Sequence, residues 1–355
     1  MMNPVVSIIV AAYNAEMTIE RLVQSVYSQV ADQSQYELII INDGSIDRTG
    51  EVLEALVQIY SDMPIVIRHI ANGGVCCARN LGLSLARGGF VTFIDSDDYY
   101  GENVLQSFFD YHQRYPQVEI WKYGVIEHYI EHNCSIRDKA NDVVPFISES
   151  STDILRMVLE MEYIPLFGYV CNGFYRRSLI TTHNIRFSDR YIMEDFMFSF
   201  EYLIQAKSMG TIPGVYYHYI LDLDKPSLSK KRESKYYEMY RLKVQTIYEY
   251  MQTANIDDSA CFQLLSRLYV KYMYSSLERM GMEASVYDKY KWLQALWKDS
   301  LYIAMQKHMC CGLSLIGVLS GLLKYRCTVV AILCTECISF VRHRCKGLFA
   351  KIKSS

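Results

Sequence analysis

The sequence has neither a marked excess of charge of one sign nor a hydrophobic run long enough to cross a bilayer. Its 355 residues carry 36 Lys and Arg against 39 Asp and Glu, a net charge of -3, which gives no indication of a nucleic-acid partner. The longest apolar runs near the C-terminus, 312–323 and 327–341, fall short of the ~18 to 20 residues of a spanning helix. The N-terminus also lacks the basic start of a secretory signal. We therefore expect a cytoplasmic protein whose 11 cysteines are reduced.

Two common nucleotide-binding signatures are absent as well. Neither G-x-x-x-x-G-K-S/T nor G-x-G-x-x-G occurs, which excludes a P-loop and a dinucleotide-binding fingerprint. The first hundred residues instead alternate between buried strands, predicted at 5–12, 37–41, 65–70 and 90–94, and amphipathic helices, the first of them capped by Asn14. This alternation indicates an α/β fold with a mostly parallel, Rossmann-like sheet flanked by helices.

Polar side chains stand at the carboxyl ends of three of these strands, where parallel sheets bind their ligands. Tyr13 follows the first strand, Asp43 follows the second, and the pair Asp95 and Asp97 follows the fourth. Carboxylates spaced in this way can hold Mg²⁺ or Mn²⁺ with positions open for phosphate oxygens, and a solvated turn is the alternative explanation. Arg79, shortly after the turn at 72–74, could meet a phosphate or a base. The clusters are expected to meet in one cleft.

Four segments taken together resemble the signature of family 2 glycosyltransferases. They are Val6–Asn14, Ile41–Ser45, Ala78–Gly82 and Phe93–Asp98. The match is dense over residues 5–100 and sparser as far as residue 230. The resemblance implies a GT-A fold and an inverting enzyme of the bacterial surface-polysaccharide type. It also implies a nucleotide-sugar donor, for which a UDP-sugar is expected.

Carried over position by position, the resemblance assigns a role to each polar position of the sheet edge. Asp95 and Asp97 correspond to the D-x-D pair of the family, with Asp97 as the direct ligand of the metal. Ala12 and Tyr13 are expected to line the pocket for the base of the nucleotide. Asp43 is expected to contact the uracil or the ribose. The complete set of expected nucleotide contacts is Ala12, Tyr13, Asp43, Arg79 and Asp95.

The general base is expected in Tyr191–Phe196, which resembles the Glu-Asp element of the family. An inverting displacement needs a carboxylate to take the proton of the acceptor hydroxyl, so Asp195 is predicted as the base and Glu194 as a neighbour that binds the acceptor. Acids favoured by the dipole of a helix N-terminus are the alternative explanation. His218, within Tyr216–Tyr219, could complete the metal or pyrophosphate site, as in some members, or be structural.

One segment departs from the family pattern. Cys171-Asn172-Gly173-Phe174-Tyr175 stands where the family commonly has Trp-Asn-Lys-Leu-Tyr. The cysteine and the glycine remove an aromatic ring and a cation from the acceptor side, so analogy does not assign the acceptor.

Three regions are predicted along the chain: a GT-A catalytic domain at 1–220, divided into a nucleotide-binding half (1–115) and an acceptor half (116–220), a helical region at 221–308, and a tail at 309–355. The tail carries seven Lys or Arg against one acid, Glu336, whereas the first 308 residues carry 29 Lys or Arg against 38 Asp or Glu. A basic and apolar tail on an acidic body predicts contact with a membrane surface. A helical pair packed against the body is the alternative.

These observations predict an inverting glycosyltransferase, peripheral on the cytosolic face of the membrane. It is expected to use Mn²⁺ or Mg²⁺ and to add a sugar to a hydroxyl of a glycan or lipid-linked glycan. A sugar-nucleotide-binding or scaffold protein without catalysis stays open, although Asp43, Asp95, Asp97 and Asp195 are all present. A sugar nucleotidyltransferase would carry a Gly-rich, basic loop after the first strand, and Tyr13–Glu16 contains neither a glycine nor a cation.

Overall fold

The computed structural model describes residues 4–29, 32–132, 134–189, 193–224, 236–280 and 284–344 of the chain. The chain divides into two compact units, Met1–Pro226 and Ser227–Ser355. The predicted domain boundaries at 220 and 308 stay predictions. Tyr191 and Ile192 of the expected Glu-Asp element, and the end of the tail at 345–355, lie outside the described ranges.

Within the described residues, ten strands of the first unit form one mixed sheet. They are β1 (Val6–Ala12), β2 (Tyr36–Asp43), β3 (Ile65–Ile70), β4 (Phe90–Asp95), β5 (Tyr99–Tyr100), β6 (Ile120–Glu131), β7 (Cys134–Asn141), β8 (Ile147–Ser148), β9 (Gly173–Arg176) and β10 (Met209–Asp222). Their order is β3-β2-β1-β4-β9-β6-β10-β5, with β7 paired to β6 and β8 to β10. The strands β1 to β4 pair in parallel, as do β6 and β10, whereas β9 is antiparallel to both of its neighbours.

Helices connect these strands. They are α1 (Ile19–Tyr27), α2 (Thr49–Ile59), α3 (Val75–Leu85), α4 (Val104–Arg114), α5 (Ser151–Tyr163), α6 (Arg177–Thr182) and α7 (Glu194–Gln205). The strands β1 and β2 are almost entirely buried, as parallel strands covered on both faces are. The predicted apolar stripe of α1 is buried at Ile19, Leu22, Val23 and Val26. The α/β architecture expected from the sequence is therefore confirmed.

The carboxyl ends of β1, β2 and β4 lie side by side because these strands are parallel neighbours. The register pairs Ala12 of β1 with Asn42 of β2, and Ala11 of β1 with Asp95 of β4. Polar residues that follow the three strands consequently reach the same edge of the sheet.

Asn14 does not cap the first helix, so that prediction is wrong. The helix α1 begins at Ile19, after Thr18. The backbone of Asn14 is left-handed, with a φ of 50°, and its Oδ1 accepts a hydrogen bond from Ile46 N at 2.9 Å. Asn14 thus bonds to the loop after the neighbouring strand β2 rather than to its own helix.

The described part of the second unit is helical, as expected for the C-terminal region. Its helices are α8 (Tyr236–Thr253), α9 (Ser259–Arg279), α10 (Val286–Leu296), α11 (Ser300–Gln306), α12 (Leu315–Lys324) and α13 (Thr328–Arg344). The side chains of Asp258, Ser285 and Asp299 cap α9, α10 and α11 by accepting hydrogen bonds from backbone N–H groups. None of the helices in the described ranges combines the length and the apolar character of a bilayer-crossing segment.

Candidate active site

Hydrogen bonds between side chains and backbone tie together the loops that follow β1 and β2. Asn14 N donates to Ser45 Oγ at 3.0 Å, and Ser45 N donates to Asn42 Oδ1 at 3.2 Å. At the end of β1, Ala12 is buried and the next residue, Tyr13, is 49% exposed. The two positions predicted to line the base pocket thus offer a small buried side chain and an accessible ring.

Asp43 holds the loop that leads into α3. Its Oδ1 accepts a hydrogen bond from Gly73 N at 2.8 Å, and its Oδ2 accepts one from Gly74 N at 2.9 Å. The next residue, Gly44, has a φ of +69°, and a Cβ there would lie 2.5 Å from Asn72 N, so the two loops approach this closely only with glycine at 44. Each oxygen of Asp43 keeps a second lone pair. Its contact with uracil or ribose stays a prediction.

Arg79 joins two of the predicted acids. Its Nη2 lies 2.7 Å from Asp95 Oδ1, and its Nη1 lies 2.5 Å from Asp195 Oδ1. The guanidinium is almost fully buried, whereas the side chains of Asp95 and Asp195 are 33% and 29% exposed. A buried cation shared by two carboxylates fixes both of them and leaves part of each accessible to a ligand. Three residues that the sequence assigned to separate roles therefore form one ion-paired group.

Two residues without a predicted role hold Arg79 in place. The guanidinium carbon of Arg79 lies 5.1 Å from the centroid of the Phe187 ring. Asn80, the neighbour of Arg79 on α3, donates from Nδ2 to Phe187 O at 2.9 Å and accepts from Phe187 N at 3.0 Å. The same ring stacks on Phe198 of α7 with centroids 4.1 Å apart. Phe187 thus brings α3 and α7 together, and the only sequence signal for this was Asn80 within the segment Ala78–Gly82.

Asp195 stands in the first turn of α7, next to Glu194. Burial raises the pKa of the Asp195 carboxyl to about 6, although the charge of Arg79 acts in the opposite direction. The carboxylates of Asp95 and Glu194 raise this pKa further. A carboxyl with such a pKa is mostly ionised at neutral pH and is basic enough to take a proton. These are the properties that a general base needs.

Asp97 and Asp98 are neighbours in the acidic turn but differ in environment. Asp97 is exposed, and its backbone O accepts a hydrogen bond from Arg21 Nη2 at 2.6 Å. Asp98 is fully buried, and its carboxylate accepts hydrogen bonds from Tyr217 OH at 2.7 Å and from Ile220 N at 2.8 Å. Burial, together with the neighbouring carboxylates, raises the pKa of Asp98 well above its ordinary value. Asp98 anchors the acidic turn to β10, a role that the sequence did not indicate.

His218 lies in a hydrogen-bonded chain with His128 and Asp138. His218 Nδ1 is 2.8 Å from His128 Nε2, and His128 Nδ1 is 2.8 Å from Asp138 Oδ1. Burial, with a further contribution from His128, lowers the pKa of His218, and its ring stacks on Tyr99 with centroids 4.4 Å apart. The metal role of His218 stays a prediction.

The acidic turn offers hard oxygen donors for a divalent cation. In the part of the chain that the structure describes, no three or more His, Cys, Asp or Glu side chains gather into a metal cage. Mg²⁺ is commonly held by one or two carboxylates, with water and substrate phosphates as the other ligands. The carboxylates of Asp95 and Asp97 fit a cation of this kind, whose coordination a diphosphate would complete.

Comparisons with known proteins agree with the resemblance seen in the sequence. The sequence profile described as Glycosyl transferase family 2 matches residues 7–179. The chain is 32% identical over 188 residues to the uncharacterised glycosyltransferase EpsJ of Bacillus subtilis (strain 168), which covers 53% of this chain and 52% of EpsJ. It is 28% identical over 218 residues to the poly(ribitol-phosphate) beta-N-acetylglucosaminyltransferase TarP of Staphylococcus aureus (strain N315), which covers 61% of this chain and 62% of TarP. The chain thus spans about half the length of the first relative and less than two thirds of the second.

A solved structure shares the fold over most of the chain. TarS 1–349 of S. aureus, in complex with UDP-GlcNAc, matches with a TM-score of 0.64 and 19% sequence identity, covering 95% of this chain and 91% of that chain. At this level of identity the likeness concerns the fold alone. The expected GT-A fold, with its helical C-terminal region, is confirmed.

Proposed function

The family model described as Glycosyl transferase family 2 matches residues 7–179 of this chain, and from this match we propose that the protein transfers a sugar from a UDP-sugar to a hydroxyl group of a glycan acceptor, with inversion at the anomeric carbon. The observation that carries the proposal is the ion-paired group of Arg79, Asp95 and Asp195 at the carboxyl edge of the sheet. A UDP-sugar is favoured as donor because TarS, which has the same fold, was solved in complex with UDP-GlcNAc.

In the proposed reaction, Asp195 is the general base. The oxygen of the acceptor hydroxyl forms a bond to the anomeric carbon, while the bond between that carbon and the diphosphate oxygen breaks. Asp195 takes the proton of the hydroxyl, and the electron pair of the broken bond leaves with UDP. With a pKa of about 6, Asp195 is mostly ionised at neutral pH. Glu194, in the same helical turn, is proposed to bind the acceptor.

Arg79 is proposed to balance charge during this step. Before transfer it stabilises the ionised forms of Asp95 and Asp195. Once Asp195 has accepted a proton, its attraction to the guanidinium weakens, and Arg79 can pair with the diphosphate as the leaving oxygen gains negative charge. One cation thus serves the base first and the leaving group afterwards.

The remaining predicted residues are proposed to hold the donor. Ala12, Tyr13 and Asp43 would contact the nucleoside, as the resemblance implies. Asp95 and Asp97 would hold Mn²⁺ or Mg²⁺, with His218 as a further candidate ligand. A cation bound there would stabilise the negative charge of the diphosphate.

The acceptor is proposed to be a surface glycan or its lipid-linked precursor, because TarP is named as a transferase that acts on poly(ribitol-phosphate).

An exposed apolar stripe on α13 supports attachment to a membrane. Val329, Val330 and Leu333 are exposed, whereas Ala331 and Ile332 between them are buried. The tail that contains the stripe has seven basic residues against one acid. We propose that this face contacts anionic lipid headgroups at the cytosolic side of the membrane.

Melting temperatures with UDP or GDP, each with Mn²⁺ or EDTA, test the proposal. A nucleotide present at about 100 times its dissociation constant stabilises the folded state by about 2.7 kcal/mol. We expect UDP to raise the melting temperature in Mn²⁺ and EDTA to abolish the effect. A shift with GDP alone would refute the UDP-sugar assignment, and no shift with either nucleotide would contradict the transferase function.

A further inference from the structure

Two tyrosine rings pack together in the acceptor half of the first unit. Tyr169, from the loop before β9, and Tyr219 of β10 have centroids 5.5 Å apart and planes tilted by 55°. Both side chains are half-buried, and neither hydroxyl hydrogen-bonds to another residue within the described ranges. Buried tyrosines usually find a partner for their hydroxyl. This pair therefore has two hydroxyls available to a ligand.

The tyrosine pair borders the predicted reaction site. Tyr219 precedes Ile220, whose backbone N donates to Asp98 Oδ1 at 2.8 Å, so the backbone at Tyr219 lies beside the acidic turn. Phe167, two residues before Tyr169, packs its ring against that of Phe196 with centroids 6.3 Å apart. Phe196 follows Asp195, so this loop also lies close to the predicted base.

Lys122 of β6 fixes the loop that carries Tyr169. Its side chain is fully buried. The ammonium donates to Tyr169 O at 2.6 Å, Phe167 O at 3.3 Å, Asn172 Oδ1 at 3.0 Å and Tyr175 OH at 2.9 Å. Since an ammonium has three hydrogens, these are shared among four oxygens, all of them in 167–175. Burial lowers the pKa of this amine to about 7. The contacts of one buried amino group thus set the position of the whole segment.

Lys122 and Tyr169 stand next to the two positions at which the chain departs from the family pattern. The register of β6 and β9 places Lys122 opposite Gly173, and a Cβ on Gly173 would lie 2.9 Å from Trp121 O and 3.1 Å from Lys122 Cδ. The backbone and the lysine together therefore occupy space that a side chain at 173 would need. Tyr169 likewise lies two residues before Cys171, where the family commonly has a Trp. Tyr169 and Lys122 thus lie close to the two positions where the family commonly has a tryptophan and a lysine.

We propose that Tyr169 and Tyr219 form a subsite for a pyranose ring of the acceptor, and that Lys122 is the positioning residue that fixes it. This inference rests on the transferase function proposed above. A pyranose presents C–H groups that pack on an aromatic ring and hydroxyls that pair with phenols. Such pairing removes the penalty of half-buried hydroxyls without partners. A sugar held here would stand on the side of the sheet edge where Asp195 can take its proton.

Saturation-transfer difference NMR with simple glycosides tests the subsite. The probes are methyl β-D-glucopyranoside, methyl β-D-galactopyranoside and methyl N-acetyl-β-D-glucosaminide, each with UDP and Mn²⁺ present. At least one is expected to give a signal with the wild-type protein. Tyr169→Leu and Tyr219→Leu are each expected to weaken that binding about five-fold, the size of one ring contact. The UDP-induced melting shift should stay unchanged.

The positioning role of Lys122 needs a rescue experiment, because a buried lysine also contributes to folding. Lys122→Ala is expected to abolish the glycoside signal while UDP still raises the melting temperature. Lys122→Arg keeps hydrogen-bond donors at the same position, and about half of the binding should be retained. A Lys122→Arg variant that folds and binds UDP but gives no glycoside signal would refute this role.

Tyr111→Leu is the matched control. Tyr111 of α4 is also half-buried and pairs with a second tyrosine, Tyr115, at 6.5 Å, but its ring packs on Trp121 instead of beside the acids. Unchanged glycoside binding in Tyr169→Leu and Tyr219→Leu, or an equal loss in the control, would overturn the subsite. A wild-type protein that binds UDP but none of the three glycosides would overturn the pyranose assignment alone. A protein that does not bind UDP would overturn the transferase function as well.

Discussion

Arg79 and Asp195 are 116 residues apart in the sequence, and in the structure Arg79 Nη1 lies 2.5 Å from Asp195 Oδ1. The other terminal nitrogen of the same guanidinium holds Asp95 at the end of β4. A single buried cation therefore joins a strand end to the first turn of α7. The protonation of Asp195, the predicted base, therefore depends on the charge of Arg79.

Arg79→Met is expected to raise the pKa of Asp195, because burial and Asp95 would then act without the opposing positive charge. The pH at which the rate of UDP release from UDP-GlcNAc is half-maximal should therefore rise by about one unit or more. The free energy of unfolding in urea should fall by about 3 kcal/mol, since two carboxylates lose a buried partner. Arg48→Met, which breaks an exposed pair with Glu51, should leave the free energy of unfolding nearly unchanged. An unshifted pH profile would contradict this account of Arg79.

The wild-type rate is expected to rise with pH and to be half-maximal near the Asp195 pKa of about 6. The carboxyl must be ionised to accept a proton, so each unit below this pKa lowers the competent fraction about tenfold. Rates of UDP release from about pH 5 to pH 8, with melting temperatures at each pH to verify folding, measure this directly. A rate that falls over this range in folded protein would exclude Asp195 as the base.

Replacement of Asp98 should lower the stability of the fold, whereas replacement of its neighbour Asp97 should alter the metal dependence of UDP binding. Asp98→Ala leaves Tyr217 OH and the backbone N of Ile220 without their acceptor, so the free energy of unfolding should fall by about 2 to 3 kcal/mol. Asp97→Ala, at an exposed position, should change it by less than about 0.5 kcal/mol. This second variant should instead lose the difference between Mn²⁺ and EDTA in the UDP melting shift. Retention of that difference would remove Asp97 from the predicted metal ligands.

The apolar stripe of α13 should govern binding to lipid. Val330→Ser combined with Leu333→Ser is expected to lower co-sedimentation with vesicles that contain anionic phosphatidylglycerol, because it removes exposed apolar area from the proposed membrane face. Ile59→Ser, at an exposed apolar position of α2, is the matched control. Binding should also weaken as salt is raised, since basic residues attract the headgroups. Equal sedimentation of all three proteins would refute the membrane face, and a change of oligomeric state confined to the stripe variant would assign it to a contact between copies.

Strong periodicity made much of the first unit predictable. The third strand was expected at 65–70 and lies at Ile65–Ile70, and the acids after β2 and β4 reach one sheet edge as expected. The strand β9 was not predicted, because its four residues are too few to show a period and its partners β4 and β6 are distant in sequence. This antiparallel insertion separates the two parallel parts of the sheet.

The residues of the candidate site could be predicted from the sequence, but the contacts between them could not. Arg79, Asp95 and Asp195 were each singled out by local motifs. Their ion pairs arise from the packing of α3 against α7 through Phe187, which no local pattern reveals. The burial of Asp98 beside the exposed Asp97 has the same cause, since it depends on β10, which comes more than a hundred residues later in the chain.

Asp195 is proposed above as the general base of a UDP-sugar transferase. The most direct measurement compares UDP release from UDP-GlcNAc by the wild-type protein and by Asp195→Asn, with the UDP melting shift in Mn²⁺ recorded on the same preparations. Asparagine keeps the size of the side chain and cannot take the proton. We expect a rate lower by about 10² or more for Asp195→Asn, with the melting shift retained. An undiminished rate in Asp195→Asn, or a loss of UDP binding that alone explains a lower rate, would contradict this assignment.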